Sequence, residues 1–165
     1  MRGNRLCAAA LLLASVAWAE PVRLIFDTDM GNDIDDALAL AVIHALESRG
    51  EAKLLAVTLT KDNRYAAPFV DLVNHLYGRG SVPIGVVKNG PTPKDAPMIQ
   101  VPSERRDEHG LLLYPRRITN GADAPEAAPL LLKILAAQPD ASVVIVQVGF
   151  STNLAKLLTL PGARD

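Results

Sequence analysis

The sequence predicts an α/β protein in which helices flank a parallel sheet, and three observations predict it. Short apolar runs alternate with helix-forming stretches along the chain, an order that needs crossover connections and hence parallel strands. The second and fourth runs are apolar on both faces, as strands covered by helices on each side must be. Glycines follow the first two helical stretches, where a helix is expected to stop.

The elements follow in order. Residues 22–26 form a first strand, and residues 37–46 a first helix with Ile34, Leu38, Val42 and Ala45 on one face and Gly50 as its stop. Residues 53–60 form a second strand built on Leu54-Leu55-Ala56-Val57. Residues 66–77 form a second helix ending at Gly78, and residues 82–87 a third strand with Pro83 near its beginning. Residues 88–124 carry prolines and charges without a sustained period, which predicts a long loop, and loops of that length are often functional. A third helix over 125–137 leads to a fourth buried strand over 143–148. Ser151 or Thr152 can cap a last helix through Leu158. In such a sheet the ligand crevice lies beyond the carboxyl ends of the strands. Residues 27–36, 60–63 and 148–153 all point there.

Residues 1–19 read as an export signal: Arg2 and Arg5, then an uncharged apolar run from Leu6 to Trp18, closing on Ala17-Trp18-Ala19. The run is shorter than the about 20 residues that span a bilayer. The expected mature domain is 20–165, periplasmic or secreted, with no membrane contact after processing. Cys7 is the only cysteine, so the mature chain has no disulfide, thiolate metal site or cysteine nucleophile. Removal of Arg2 and Arg5 lowers the 17 basic residues to 15, against 18 acidic ones. With no basic stripe and few aromatics, a nucleic-acid partner is not expected.

The segment 27–36 places Asp27, Asp29, Asp33, Asp35 and Asp36 between a strand and a helix. Bare carboxylates so close repel, and some pKa values rise unless a cation compensates them. Ca²⁺, which accepts six to eight oxygens in forgiving geometry, suits them. Gly31 lets the backbone turn. Capping of the helix by Asn32 or Asp33 would explain one or two of these residues, not five.

This segment resembles the signature of the inosine–uridine-preferring nucleoside hydrolase family, Asp-x-Asp-Pro-Gly-x-Asp-Asp-Ala, through Asp27, Asp29, Gly31, Asp35, Asp36 and Ala37. Met30 stands for the usual proline, and two additional residues lengthen the turn. The resemblance implies a Rossmann-like parallel sheet and Ca²⁺-dependent hydrolysis of nucleosides. It implies that Asp29 and Asp36 ligate Ca²⁺, that Asp29 is also the base activating a water, and that Asp35 holds a ribose hydroxyl. Asp27 is a further candidate ligand. Val148-Gly149-Phe150-Ser151-Thr152-Asn153-Leu154 resembles the family's Thr-Gly-x-x-Thr-Asn-Leu turn, implying a main-chain carbonyl from Val148 to the metal. Asn63 matches an asparagine near the ribose, and His109-Gly110 a His-Gly in the long loop. His44 and His75, inside helices, are expected to be packing or surface residues.

The resemblance covers the mature chain but only the amino-terminal half of the family's fold, ending after the fourth strand–helix unit. Residues 20–165 are therefore expected to supply an incomplete calcium shell and to be poorly active. The implied ligand is a nucleoside or related ribosyl compound, and a homo-oligomer is allowed. Two other readings stand beside this one. Leu24-Ile25-Phe26-Asp27-Thr28-Asp29 also fits the strand and Asp-x-Asp of a haloacid-dehalogenase-type phosphatase, although that family wants threonine or valine at Gly31. A non-catalytic, truncated relative would keep only a residual calcium or ribosyl site.

Overall fold

A computed structural model describes residues 20–91, 94 and 96–163; the expected export segment 1–19, with Cys7, lies outside them. The elements are β1 (Val22–Thr28), α1 (Asp35–Ser48), β2 (Ala52–Leu59), α2 (Ala66–Leu76), β3 (Ile84–Val86), α3 (Pro97–Glu104), α4 (Ala127–Leu135), β4 (Val143–Gln147) and α5 (Thr152–Leu157). All strand pairs are parallel, in the order β3-β2-β1-β4. The expected α/β class and parallel sheet are therefore present. Among the described residues, no helix is long and apolar enough to cross a membrane.

Strand alternation divides the core. Phe26, Leu24, Val57 and Leu59 pack with Leu40 and Ile43 of α1 and Val70 of α2. Ile25 and Ala56 point the other way, onto Leu131 of α4 and Leu157 of α5. Neighbouring residues of β1 thus serve opposite layers, as a period of two demands. The order reverses between β1 and β4, which makes their carboxyl ends the switch point where a crevice forms. Val148 N–H donates to Asp27 O at 2.9 Å there, and Thr60 N–H to Thr28 O at 2.8 Å.

Four expectations are corrected. The stripe Ile34, Leu38 and Val42 is exposed, at 58%, 60% and 58%; α1 buries Asp36, Leu40, Ile43 and His44 instead. Residues 37–46 are apolar at every position but His44, so spacing alone could not choose a unique hydrophobic face. Strand β4 is not buried: it pairs only with β1, and Val144 is 51% exposed. The stretch 88–124 is not all loop, since α3 occupies Pro97–Glu104 with Pro102 inside it, a residue that normally argues against a helix. Finally, neither α1 nor α5 has a side-chain cap: their N-cap residues are Ile34 and Ser151, without a capping hydrogen bond.

Candidate active site and metal centre

The turn after β1 is held open by two local features. Gly31 adopts φ +108°, and a Cβ there would lie 2.5 Å from Ile99 Cδ1 of α3, so backbone geometry and close packing both require glycine. Met30, at the position expected for proline, is fully buried. The turn is thereby fastened to the core while Asn32, Asp33 and Asp35 remain exposed.

The aspartates occupy different environments. Asp27 is fully buried, and its Oδ1 accepts from Thr58 Oγ1 at 2.6 Å and Asn153 Nδ2 at 2.8 Å. Asp36 is 4% exposed, and its Oδ1 accepts from Thr28 Oγ1 at 2.7 Å. The second oxygens, Asp27 Oδ2 and Asp36 Oδ2, are buried without any hydrogen-bond partner. Asp29 is half-buried and accepts from Asn32 Nδ2, while Lys61 Nζ donates to Asn32 Oδ1 at 2.9 Å. Asp35 Oδ1 accepts from Asp36 N–H at 3.0 Å.

Electrostatics follow from that placement. Burial pushes the Asp36 carboxyl up to about 6, opposed by the Thr28 hydrogen bond and reinforced by Asp29, Asp35 and Asp33. Burial also raises Asp27, against the hydrogen bonds from Asn153 and Thr58. A hydrogen bond between Asp33 and Asp35 raises the first and lowers the second. A buried carboxylate costs several kcal/mol, and one hydrogen bond to a charged group returns about 1.5–3 kcal/mol. For Asp36 the single bond from Thr28 does not close that gap. A cation would, and the orphaned Asp36 Oδ2 leaves an oxygen free to hold one.

The ligating oxygens of Asp33, Asp35 and Asp36 can lie within 4.8 Å of one another. Asp33, which the sequence left unassigned, thus belongs to the cluster, and Asp29 stands near enough to act on Asp33 and Asp36. Strand β4 delivers the second wall. Gly149 packs so closely that a Cβ would meet Thr60 Oγ1, Asp29 N at 2.6 Å and Thr28 C at 2.8 Å. This seats Val148 beside the turn. Phe150 N–H donates to Thr60 Oγ1 at 3.0 Å.

Two candidates are placed differently. Asn63 is buried, with Oδ1 accepting from Tyr65 N–H at 2.7 Å and Nδ2 donating to Lys94 O at 3.0 Å, so it ties the start of α2 to the segment after β3. His109 is exposed, pairs locally with Glu108 at 3.6 Å and donates its N–H to Asp107 Oδ1 at 2.9 Å, both within its own loop. His44 and His75 pack as expected, against Asn74 Oδ1 at 2.8 Å and Asp71 O at 2.7 Å. Sequence reasoning missed Thr28, Thr58 and the grip of Asn153 on Asp27. Alternation could have suggested Thr28 as the residue facing α1; the partners of Asp27 come from 31 and 126 residues away and left no local signal.

The sequence model of a family described as inosine-uridine preferring nucleoside hydrolase matches residues 24–162. Among solved structures, a plant nucleoside hydrolase aligns at 26% identity with a TM-score of 0.49, over 84% of this chain and 42% of its own. The chain thus spans less than half the length of that enzyme. No curated protein matches the sequence.

Proposed function

This chain belongs to the inosine-uridine preferring nucleoside hydrolase family, and from that premise we propose that its acidic turn is a calcium site serving hydrolysis of the N-glycosidic bond of a nucleoside or related ribosyl compound. The observation that carries the reading is Asp36, buried with its Oδ2 partnerless and clustered with the carboxylates of Asp33 and Asp35 within 4.8 Å, at the switch point of the sheet. Membership of this family sets the phosphatase reading aside.

Asp36 and Asp29 would hold the ion, with the Val148 carbonyl from the β4 side and Asp27 bracing the strand end. Bound there, Ca²⁺ would compensate the carboxylates, acidify a water and seat a ribose diol. Asp29 takes the proton of the attacking water; it is half-buried at the mouth of the turn, and the Asn32 amide orients it. Asp35 uses one oxygen on Asp36 N–H, and its other oxygen can accept a ribose hydroxyl. Cleavage through an oxocarbenium-like transition state then needs the water on the face opposite the leaving base.

Calcium binding is read first, because it does not depend on turnover: melting temperature is followed with calcium and with chelator. Nucleobase release from inosine and uridine is then measured for the chain and for Asp29→Asn. The expected result is a calcium-dependent rise in melting temperature, with any release abolished by chelator and by Asp29→Asn. Identical melting in calcium and chelator, or release indifferent to both changes, would overturn the proposal.

A further inference from the structure

A second polar site lies outside the acidic turn. Arg64, Tyr65, Ser103, Glu104, Arg106 and Arg116 line an open cavity of about 390 Å³. Three guanidinium groups line it against one carboxylate, which leaves two positive charges. Glu104 is already engaged: it accepts from Tyr65 Oη, and from Gln100 Nε2 at 3.1 Å, and lies 3.9 Å from Arg64. Arg64 also stacks over the Tyr65 ring at 4.6 Å. Among the described residues neither Arg106 nor Arg116 pairs with a carboxylate, and Arg106 Nη1 donates to Gly110 O at 2.7 Å.

Two wall residues carry unsatisfied polar atoms. Ser103 is fully buried, and its Oγ has no hydrogen-bond partner. Arg116 has Nε and Nη1 shut away from water, also without partners. Burial and the neighbouring Arg106 charge lower the Arg116 pKa from its ordinary value, with the Asp71 carboxylate only partly opposing them. The backbone holds the Arg116 cation in place. Asp71 Oδ2, fully buried, accepts from Arg117 N–H at 2.5 Å and Ile118 N–H at 2.8 Å, fixing the segment beside Arg116.

We propose that this cavity binds a phosphate monoester dianion, gripped by Arg106 and Arg116 and by the Ser103 hydroxyl. A dianion matches the two surplus charges, and guanidinium forks suit phosphate oxygens in paired hydrogen bonds. The cavity is larger than a bare phosphate and falls in the range of small-molecule sites, about 300–1,000 Å³, so it has room for the organic part of the ester. Ser103 Oγ and Arg116 Nε and Nη1 are closed to water as the side chains stand, so engagement requires both to turn toward the cavity. The site is independent of the calcium reading. Two of its residues, Ser103 and Glu104, lie on the same helix as Ile99, which packs on Gly31 of the acidic turn.

The test is titration of the chain with inorganic phosphate, ribose 5-phosphate and unphosphorylated ribose, followed by ³¹P line broadening and calorimetry. All titrations are run in chelator, with chloride matching the ionic strength. Chelator removes any contribution from the acidic turn, so failure here and failure of the calcium proposal are separately visible. Saturable binding of phosphate or its ester is expected, with ribose silent. Tighter binding of the ester identifies an organic ligand; equal binding identifies free phosphate. Arg116→Gln should weaken binding roughly tenfold or more, as loss of a charge-assisted contact predicts, and Arg106→Gln and Ser103→Ala by smaller factors. Unchanged melting temperatures verify that the variants fold. No saturable binding at millimolar phosphate, or equal binding by Arg116→Gln and Arg106→Gln, would overturn the proposal.

Discussion

The hydroxyl of Thr28 donates to Asp36 Oδ1 at 2.7 Å across eight residues, tying the last residue of β1 to the first turn of α1. The same oxygen of Thr28 accepts Met30 N–H at 3.1 Å, so one side chain shapes both the acidic turn and its buried Asp36 carboxylate.

Thr28→Val removes both bonds and leaves Asp36 without a donor. We expect a loss of about 1–3 kcal/mol at neutral pH, shrinking below pH 5, where a protonated Asp36 no longer needs compensation. Denaturant unfolding at the two pH values checks it. An equal loss at both would place the effect in packing alone.

The pH dependence of Asp36 has the opposite sign to that of a salt-bridged aspartate. Its folded pKa is raised from 3.8 to about 6, so between those values the folded state binds a proton that the unfolded chain does not. In chelator, its contribution to stability rises as pH falls through about 6 and levels off below about 4, by at most about 3 kcal/mol. Asp36→Asn should therefore exceed the parent in stability at pH 7.5, and the gap should close toward pH 4.5. A variant less stable than the parent throughout would refute the burial argument.

Calcium reverses this preference for the neutral form. Protons and the ion compete for the same carboxylate, so the calcium-dependent rise in melting temperature should fade as pH drops through 6. It should vanish in Asp36→Asn at any pH. Asp33→Ala should reduce it, because Asp33 shares the cluster with Asp35 and Asp36; an unchanged calcium titration would return Asp33 to a purely local role.

Gly149→Ala tests how tightly β4 closes the site. The added methyl would lie 2.6 Å from Asp29 N and 2.8 Å from Thr28 C, both backbone atoms that cannot swing aside. A loss of about 1–3 kcal/mol is expected, together with weaker calcium binding. Gly110→Ala, where a Cβ meets nothing within 4 Å, should cost only the strain of its positive φ, about 1–2 kcal/mol, and leave calcium binding unchanged.

The sequence by itself determined the parallel α/β order and the place of the acidic turn. Strand runs, helix formers and a five-aspartate cluster are local patterns, and local patterns survive without coordinates. It also determined the family resemblance, which residues 24–162 support. Tertiary structure decided what composition left degenerate. The middle of helix α1, residues 37–46, is apolar at every position but His44, so only its packing chose Leu40 and Ile43 over Leu38 and Val42 as the buried face. Strand β4 looks like an interior strand, and only strand pairing put it beside β1 alone. The five aspartates could be counted in the sequence. Their division into a braced Asp27, a buried Asp36 and an exposed Asp33–Asp35 pair depends on Thr58 and Asn153, brought from distant segments. Burial and hydrogen bonding are set by neighbours in space, and it is these that give identical side chains different work.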